Sequence, residues 1–121
     1  MGQQSLVTRV CKSEMQWSTL ETETGKFLIS RPFTQRESPT IGGGLVEIEA
    51  AEMKWTPNYD EIVVVLEGEM SIVHNGQDLA ARPGDMFLIR YGAEIAYKTQ
   101  TKATFAWILY PAQWRNLRWP E

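Results

Sequence analysis

One cysteine and one histidine are all that the 121-residue sequence offers of the two commonest soft metal ligands. Cys11 has no partner for an internal disulfide, and no charged-then-apolar leader opens the chain, so a reducing cytoplasmic setting is expected. A lone cysteine of this kind is expected as a small buried hydrophobe. A single histidine excludes a His-rich zinc or iron site within one chain. A Cys11–His74 catalytic dyad has no supporting motif. An excess of positive charge is missing too. With 12 basic against 15 acidic side chains the net charge is −3, and no basic stripe suits a nucleic-acid backbone. The longest apolar run, Ile62 to Leu66, is far too short to span a bilayer as a helix. Neither nucleic acid nor membrane is an expected partner.

Aromatic residues are abundant by contrast: five Trp, four Tyr and four Phe suit a packed β core or a lined pocket. At this length a single domain is expected, burying roughly two thirds of the surface that its unfolded chain exposes. The chain reads as short strands between Gly, Pro and Asn signals, with no convincing helical period before the C-terminus. Leu6 to Val10 alternates like a strand and places residues 1–24 in an N-terminal strand region. Gly25 to Ser30 gives a second strand, ended by Pro32, and 31–40 reads as a loop. Gly42-Gly43-Gly44 lacks the Lys-Ser/Thr of a phosphate-binding loop and leads into a strand over Leu45 to Ala50.

The middle of the chain is the most legible. Glu61 to Leu66 is a β-branched run, and Asn75-Gly76 between alternating segments signals a two-residue hairpin with both central residues at positive φ. Pro83-Gly84-Asp85 marks a turn, followed by strands over Met86 to Arg90, Ile95 to Lys98 and Thr104 to Tyr110. About nine or ten short strands are expected, as in a sandwich or jelly-roll barrel. The tail, 111–121, carries Trp114 and Trp119 and is expected to dock on the barrel or on a second subunit.

Two of these segments resemble the paired motifs of the cupin superfamily. Glu61 and Gly68 stand at the E-x6-G spacing of the first motif, and Gly84 and Gly92 at the two glycines of the second; the fifteen residues from 69 to 83 separate them. The resemblance implies an all-β, single-domain cupin, a double-stranded β-helix or jelly-roll barrel, spanning 1–121. It also places the usual metal-binding histidines at Trp55 and Pro57, or Lys54 and Thr56 under the longer spacing, and at Ile95. Only Glu61 survives of a three-His-one-Glu set, so no transition metal is expected. Trp55-Thr56-Pro57-Asn58-Tyr59-Asp60-Glu61-Ile62 and Tyr110-Pro111-Ala112-Gln113-Trp114 narrow the resemblance to the cupin domain of the EutQ ethanolamine utilisation proteins, over roughly 25 to 115.

That resemblance implies a Tyr-Asp-Glu cluster at the vacated metal position, acetate kinase activity and a bacterial microcompartment setting. Two departures stand out: Arg90-Tyr91-Gly92 replaces the usual Pro-Lys-Gly, and no long N-terminal extension is present. Strand alternation sends Tyr59, Glu61, Val63 and Val65 to one face, which the resemblance makes the barrel interior. Glu61, Tyr59 and Asp60 are therefore the catalytic candidates, and Arg90, Tyr97, Trp55 and Trp107 the substrate-binding ones. A carboxylate in an apolar mouth must be paired, hydrated or protonated. Tyr59, Arg90 and Tyr97 are its candidate partners.

Under the kinase reading, Mg²⁺ and ATP or ADP are implied, with Asp60 and Glu61 as oxygen ligands and Arg90, Lys54 and Lys26 as cations. Consecutive strand residues face opposite sides, so Asp60 and Glu61 share a site only at a bulge or a strand start. The alternative is a non-catalytic small-molecule-binding or scaffold cupin. A homodimer is expected in either case, through an N-terminal strand or the Trp114/Trp119 tail, with microcompartment proteins as further expected partners.

Overall fold

The computed structural model describes residues 6–114. They form eight strands: β1 (Ser18–Leu20), β2 (Lys26–Phe33), β3 (Gly42–Trp55), β4 (Asp60–Gly68), β5 (Met70–His74), β6 (Gln77–Ala81), β7 (Met86–Ile89) and β8 (Ile95–Tyr110). All pairings are antiparallel, in the order β1-β2-β3-β8-β4-β7, with the β5–β6 hairpin attached to β8. The architecture is all-β, as the spacing of strand and turn signals predicts.

β8 organises the barrel. Its first half pairs with the end of β3 and with β5, and its second half pairs with the start of β3 and with β4. One strand therefore supplies side chains to several walls of the same interior. Ile95 to Lys98 and Thr104 to Tyr110, read from sequence as separate strands, are the two halves of this single element. β3 likewise runs past Ala50 to Trp55: Ala50 takes φ 46° at a bulge between Glu49 and Ala51, and pairing with β8 resumes beyond it. Two β8 residues, Gln100 and Thr101, stand against Ala50, so the extra residue lies on β8, and pairing re-forms beyond it without ending either strand.

β2 passes through Pro32 for a related reason. Its register with β3 shifts between Ser30 and Phe33, and an imino residue without an N–H is tolerated at such an irregularity. Leu6 to Val10 forms no strand, however. Leu6 and Val7 are 101% and 81% exposed, and only a short 3-10 turn at Lys12–Glu14 precedes β1. Alternation there is not matched by a strand pairing among the described residues. Cys11 is exposed at the start of that turn, accepting from the Glu14 backbone N–H at 2.8 Å while its own N–H donates to Glu14 Oε1 at 2.9 Å, so the buried role expected for it is corrected.

Asn75 and Gly76 take φ 52° and 75°, the left-handed pair that the β5–β6 hairpin requires. The first glycines of β3 have a different use. Gly44 pairs with Trp107 across the β3–β8 ladder, and a Cβ there would meet the Ser30 backbone oxygen and lie 2.7 Å from Trp107 Cζ2. The glycine makes room for the indole against the strand. Gly44→Ala is expected to destabilise by about 1–3 kcal/mol through overpacking, measured by urea unfolding. An unchanged midpoint would show that both the Ser30 carbonyl and the Trp107 indole can move aside freely.

Candidate functional site

Alternation along β4 sends Glu61, Val63 and Val65 inward, with Tyr59 just before them, and all four are buried. β8 contributes Tyr97, Phe105, Trp107 and Leu109 to the same interior. Tyr59, Glu61, these four β8 residues and Phe27 of β2 line a cavity of about 620 Å³. The barrel is therefore open to a small molecule.

Glu61 is the buried carboxyl of this cavity, at 4% exposure. It sits on β4, paired with β7 and the second half of β8, whereas Tyr97 sits on the first half of β8, paired with β3 and β5. The Tyr97 hydroxyl reaches across the interior and donates to Glu61 Oε1 at 2.6 Å. Burial pushes the Glu61 carboxyl up to about 7, and the bond from Tyr97 holds it back from going further. Tyr97 is itself raised well above the usual tyrosine range, first by burial and then by the negative charge of Glu61. Near neutral pH, Glu61 is thus poised between acid and base.

A second aromatic group, Trp55, Tyr59 and Trp114, lines the cavity as well. Trp55 Nε1 donates to the Tyr59 hydroxyl at 2.8 Å. Trp114 lies 5.0 Å from the Tyr59 ring and meets Trp55 edge-on at 6.4 Å. Of the tail expected to dock, Trp114 makes these contacts, and residues 115–121, with Trp119, lie outside the described residues. Deeper in, Tyr97 stacks on Phe105 at 5.2 Å with 22° between the rings, and Phe27 lies 5.9 Å from Tyr97. Trp107 Nε1 is buried with no hydrogen-bond partner among the described residues.

Asp60 and Arg90 are placed elsewhere. β4 has no bulge near Asp60, so its carboxylate faces away from Glu61 and accepts from the Tyr91 backbone N–H at 3.0 Å and from Arg90 Nε at 3.4 Å. Arg90 is exposed and does not line the cavity. Lys54 and Lys26, the other cations considered, are exposed and outside the lining as well. Among the described residues, the cations that do line it are Arg31, half-buried on β2, and Arg36, exposed on the loop after it. Arg31 keeps the parity of Phe27 and Ile29, a signal hidden by treating Pro32 as the end of the strand. His74 stands apart, half-buried beside the hairpin, with Nδ1–H donated to the Glu94 carbonyl at 3.0 Å.

Comparison with known proteins fits this geometry. The family described as "Ethanolamine utilisation protein EutQ" matches residues 4–116. The chain belongs to the EutQ family. It is similar to "Acetate kinase EutQ" of Clostridioides difficile, 37% identical over 84 residues, which are 69% of this chain and 54% of that protein. The same name is carried by an Escherichia coli relative, again 37% identical over 84 residues but covering 36% of its length. The chain thus spans about half, or less, of the curated EutQ proteins that it matches. The solved structure of the Clostridium difficile EutQ protein superposes with TM-score 0.75 at 31% identity, covering 88% of this chain and 83% of that one. The polyketide cyclase RemF of Streptomyces resistomycificus gives TM-score 0.75 at 15% identity, covering 87% of this chain and 80% of that one, a likeness of cupin fold alone.

Among the described residues, no group of three His, Cys, Asp or Glu side chains stands together as a metal site, and no helix is long and apolar enough to cross a membrane. Trp55 and Pro57 line or flank the cavity at the positions where the cupin motif places its first histidines, and Ile95 is buried in the core at the last.

Proposed function

We propose that this EutQ-family cupin binds a small organic molecule in its barrel cavity, with Glu61 as the acid–base group and without a transition metal. The supporting observation is the placement of Glu61. It is buried and carries one hydrogen bond from Tyr97, while Oε2 has no protein partner among the described residues and adjoins a cavity of about 620 Å³. A carboxyl with that environment can donate a proton to a bound ligand or accept one from it at neutral pH. Tyr97 fixes its orientation, and the aromatic walls keep bulk water from competing.

A second reading, transfer of a phosphoryl group to a small carboxylate, is favoured by Arg31 and Arg36 at the cavity and by the name of the relatives. The residues present do not fit its cofactors. Asp60 points away, which leaves Glu61 as the one buried carboxylate among the described residues, too few oxygens for a protein-held Mg²⁺, and the glycine run beside the cavity, from Gly42, is strand and not a phosphate loop. Homodimer formation and a microcompartment setting complete the proposal. The apolar outer positions of the edge strand β7, Met86 and Leu88 at 62% and 66% exposure, support the first, and family membership the second.

An NMR screen of small alcohols, acids and amines tests the binding role. Ligands are expected to shift the indole signals of Trp55, Trp107 and Trp114 together, and the absence of any such ligand would remove the reading. Alongside it, acetyl phosphate and ADP are incubated with and without Mg²⁺. Turnover that vanishes in Glu61→Gln would favour the kinase role; binding without turnover would favour the non-catalytic one. Stoichiometric Fe, Mn or Zn in the purified protein would overturn the metal-free assignment.

A further inference from the structure

We propose that the ligand of this cavity is an organic ammonium ion, its alkylated head held between the aromatic walls and the free oxygen of Glu61. This inference rests on the cavity being a small-molecule site and names the class of molecule.

Charge is the first reason. Glu61 forms no ion pair among the described residues, whose salt bridges join Lys12 to Glu47, Arg90 to Asp60 and Lys98 to Asp78. Among the described residues its one hydrogen-bond partner is the neutral Tyr97 hydroxyl, and no cation pairs with it. Of the other charged lining residues among those described, Glu21 and Arg36 are exposed and Arg31 is half-buried, whereas Glu61 is fully buried. A buried carboxylate left without a counter-charge is an electrostatic vacancy for a cation.

The walls are the second reason. Trp55, Tyr59, Tyr97, Phe105, Trp107 and Trp114 all line the cavity. Aromatic faces carry negative electrostatic potential and attract organic cations, and the attraction strengthens when water is excluded. The same faces repel an anion, which would also meet Glu61 in its ionised form. A small carboxylate in the depth of this cavity would therefore be opposed twice.

Hydrogen-bonding capacity separates the kinds of ammonium. A primary ammonium brings three N–H donors, each needing an acceptor once dehydrated. Among the described residues the interior holds few acceptors beyond Glu61: the Tyr97 hydroxyl, which donates to Glu61, and the Tyr59 hydroxyl, which already accepts from Trp55, keep only their remaining lone pairs. An alkylated head has fewer donors or none and sheds its water more readily. Aromatic contact and one carboxylate oxygen then suffice.

The test uses three probes on the full chain at pH 8: choline, its uncharged isostere 3,3-dimethylbutan-1-ol, and acetate, followed through the indole N–H signals of Trp55, Trp107 and Trp114. Choline is expected to bind about tenfold more tightly than the isostere, and Glu61→Gln to erase most of that ratio. A cooperative thermal melt of the variant shows that it is folded. Equal affinity for choline and its isostere would overturn the ammonium assignment and leave the small-molecule site standing. Tighter binding of acetate than of choline would overturn it in favour of an acid. If none of the three moves the indoles, the ammonium assignment falls, and the screen of alcohols, acids and amines decides separately whether the cavity is a small-molecule site.

Discussion

Between pH 4.5 and pH 8 the protein should lose about 3 kcal/mol of stability through one side chain, and Glu61→Gln should abolish that loss. The Glu61 carboxyl titrates at 4.5 in an unfolded chain and at about 7 in the folded one, because burial penalises the ionised form. Below pH 4.5 it is protonated in both states and contributes no pH dependence. From there to about 7 the unfolded chain releases the proton while the folded chain retains it, so stability falls as pH rises. Above 7 both states are ionised and the loss is complete. Glu14 and Glu37 have lowered values, from hydrogen bonds donated by the backbone N–H groups of Cys11 and Thr34, so they act with the opposite sign and below this window. Gln at position 61 keeps an oxygen to accept from Tyr97 and has no charge to bury. Urea unfolding of both proteins at several pH values measures the difference directly. Parallel curves for the two would show that Glu61 is already hydrated or paired in solution.

The inward set of β4 is where sequence and structure agree most closely. Period-two alternation fixes which of Tyr59, Asp60 and Glu61 share a face, and it already separates Asp60 from Glu61 unless the strand bulges. The structure shows no bulge there, and Asp60 pairs with Arg90 on the outside. The parity of Arg90 with Met86 and Leu88 carries the same information, since both of those are exposed. Tyr97 was legible by the same rule applied to Ile95, and it proves to be the partner of Glu61. The Asn75-Gly76 turn is legible because positive φ at two successive residues leaves few alternatives.

Features that depend on distant partners were not legible. Leu6 to Val10 has a strand's pattern without a strand, because pairing is decided by where β1, β2 and β3 lie and not by local alternation. The lengths of β3 and β8 follow from pairing with each other across most of the barrel, which lets both survive an irregularity near Ala50. Arg31 reached the cavity past Pro32 because a register shift absorbed the missing N–H. Arg36 belongs to a loop, where no period applies. The cavity itself is a property of how several walls close around one space, so aromatic composition announced either a filled core or a lined pocket and did not separate them.

Phe105→Ala should destabilise the protein by about 3–5 kcal/mol and also move the titration of Glu61 toward the ordinary carboxylate range. Phe105 is 1% exposed and pairs with Val46 of β3 and Val65 of β4, which are 2% and 0% exposed, so nothing nearby can collapse into its place. Its ring also supports one face of Tyr97 at 5.2 Å. The void left by truncation would join the existing cavity, because Phe105 lines it already. Water would gain access beside Tyr97, the Tyr97–Glu61 bond would lose its rigid support, and the desolvation that raises Glu61 would weaken. Phe105→Leu keeps most of the volume and is expected to lose about 1 kcal/mol with a smaller change in titration. Denaturant unfolding reads the first effect, and NMR titration of the Glu61 side-chain carboxyl carbon reads the second. A destabilised Phe105→Ala protein in which Glu61 titrates as in the parent would mean that strand geometry, and not the aromatic stack beneath Tyr97, holds the carboxyl dry.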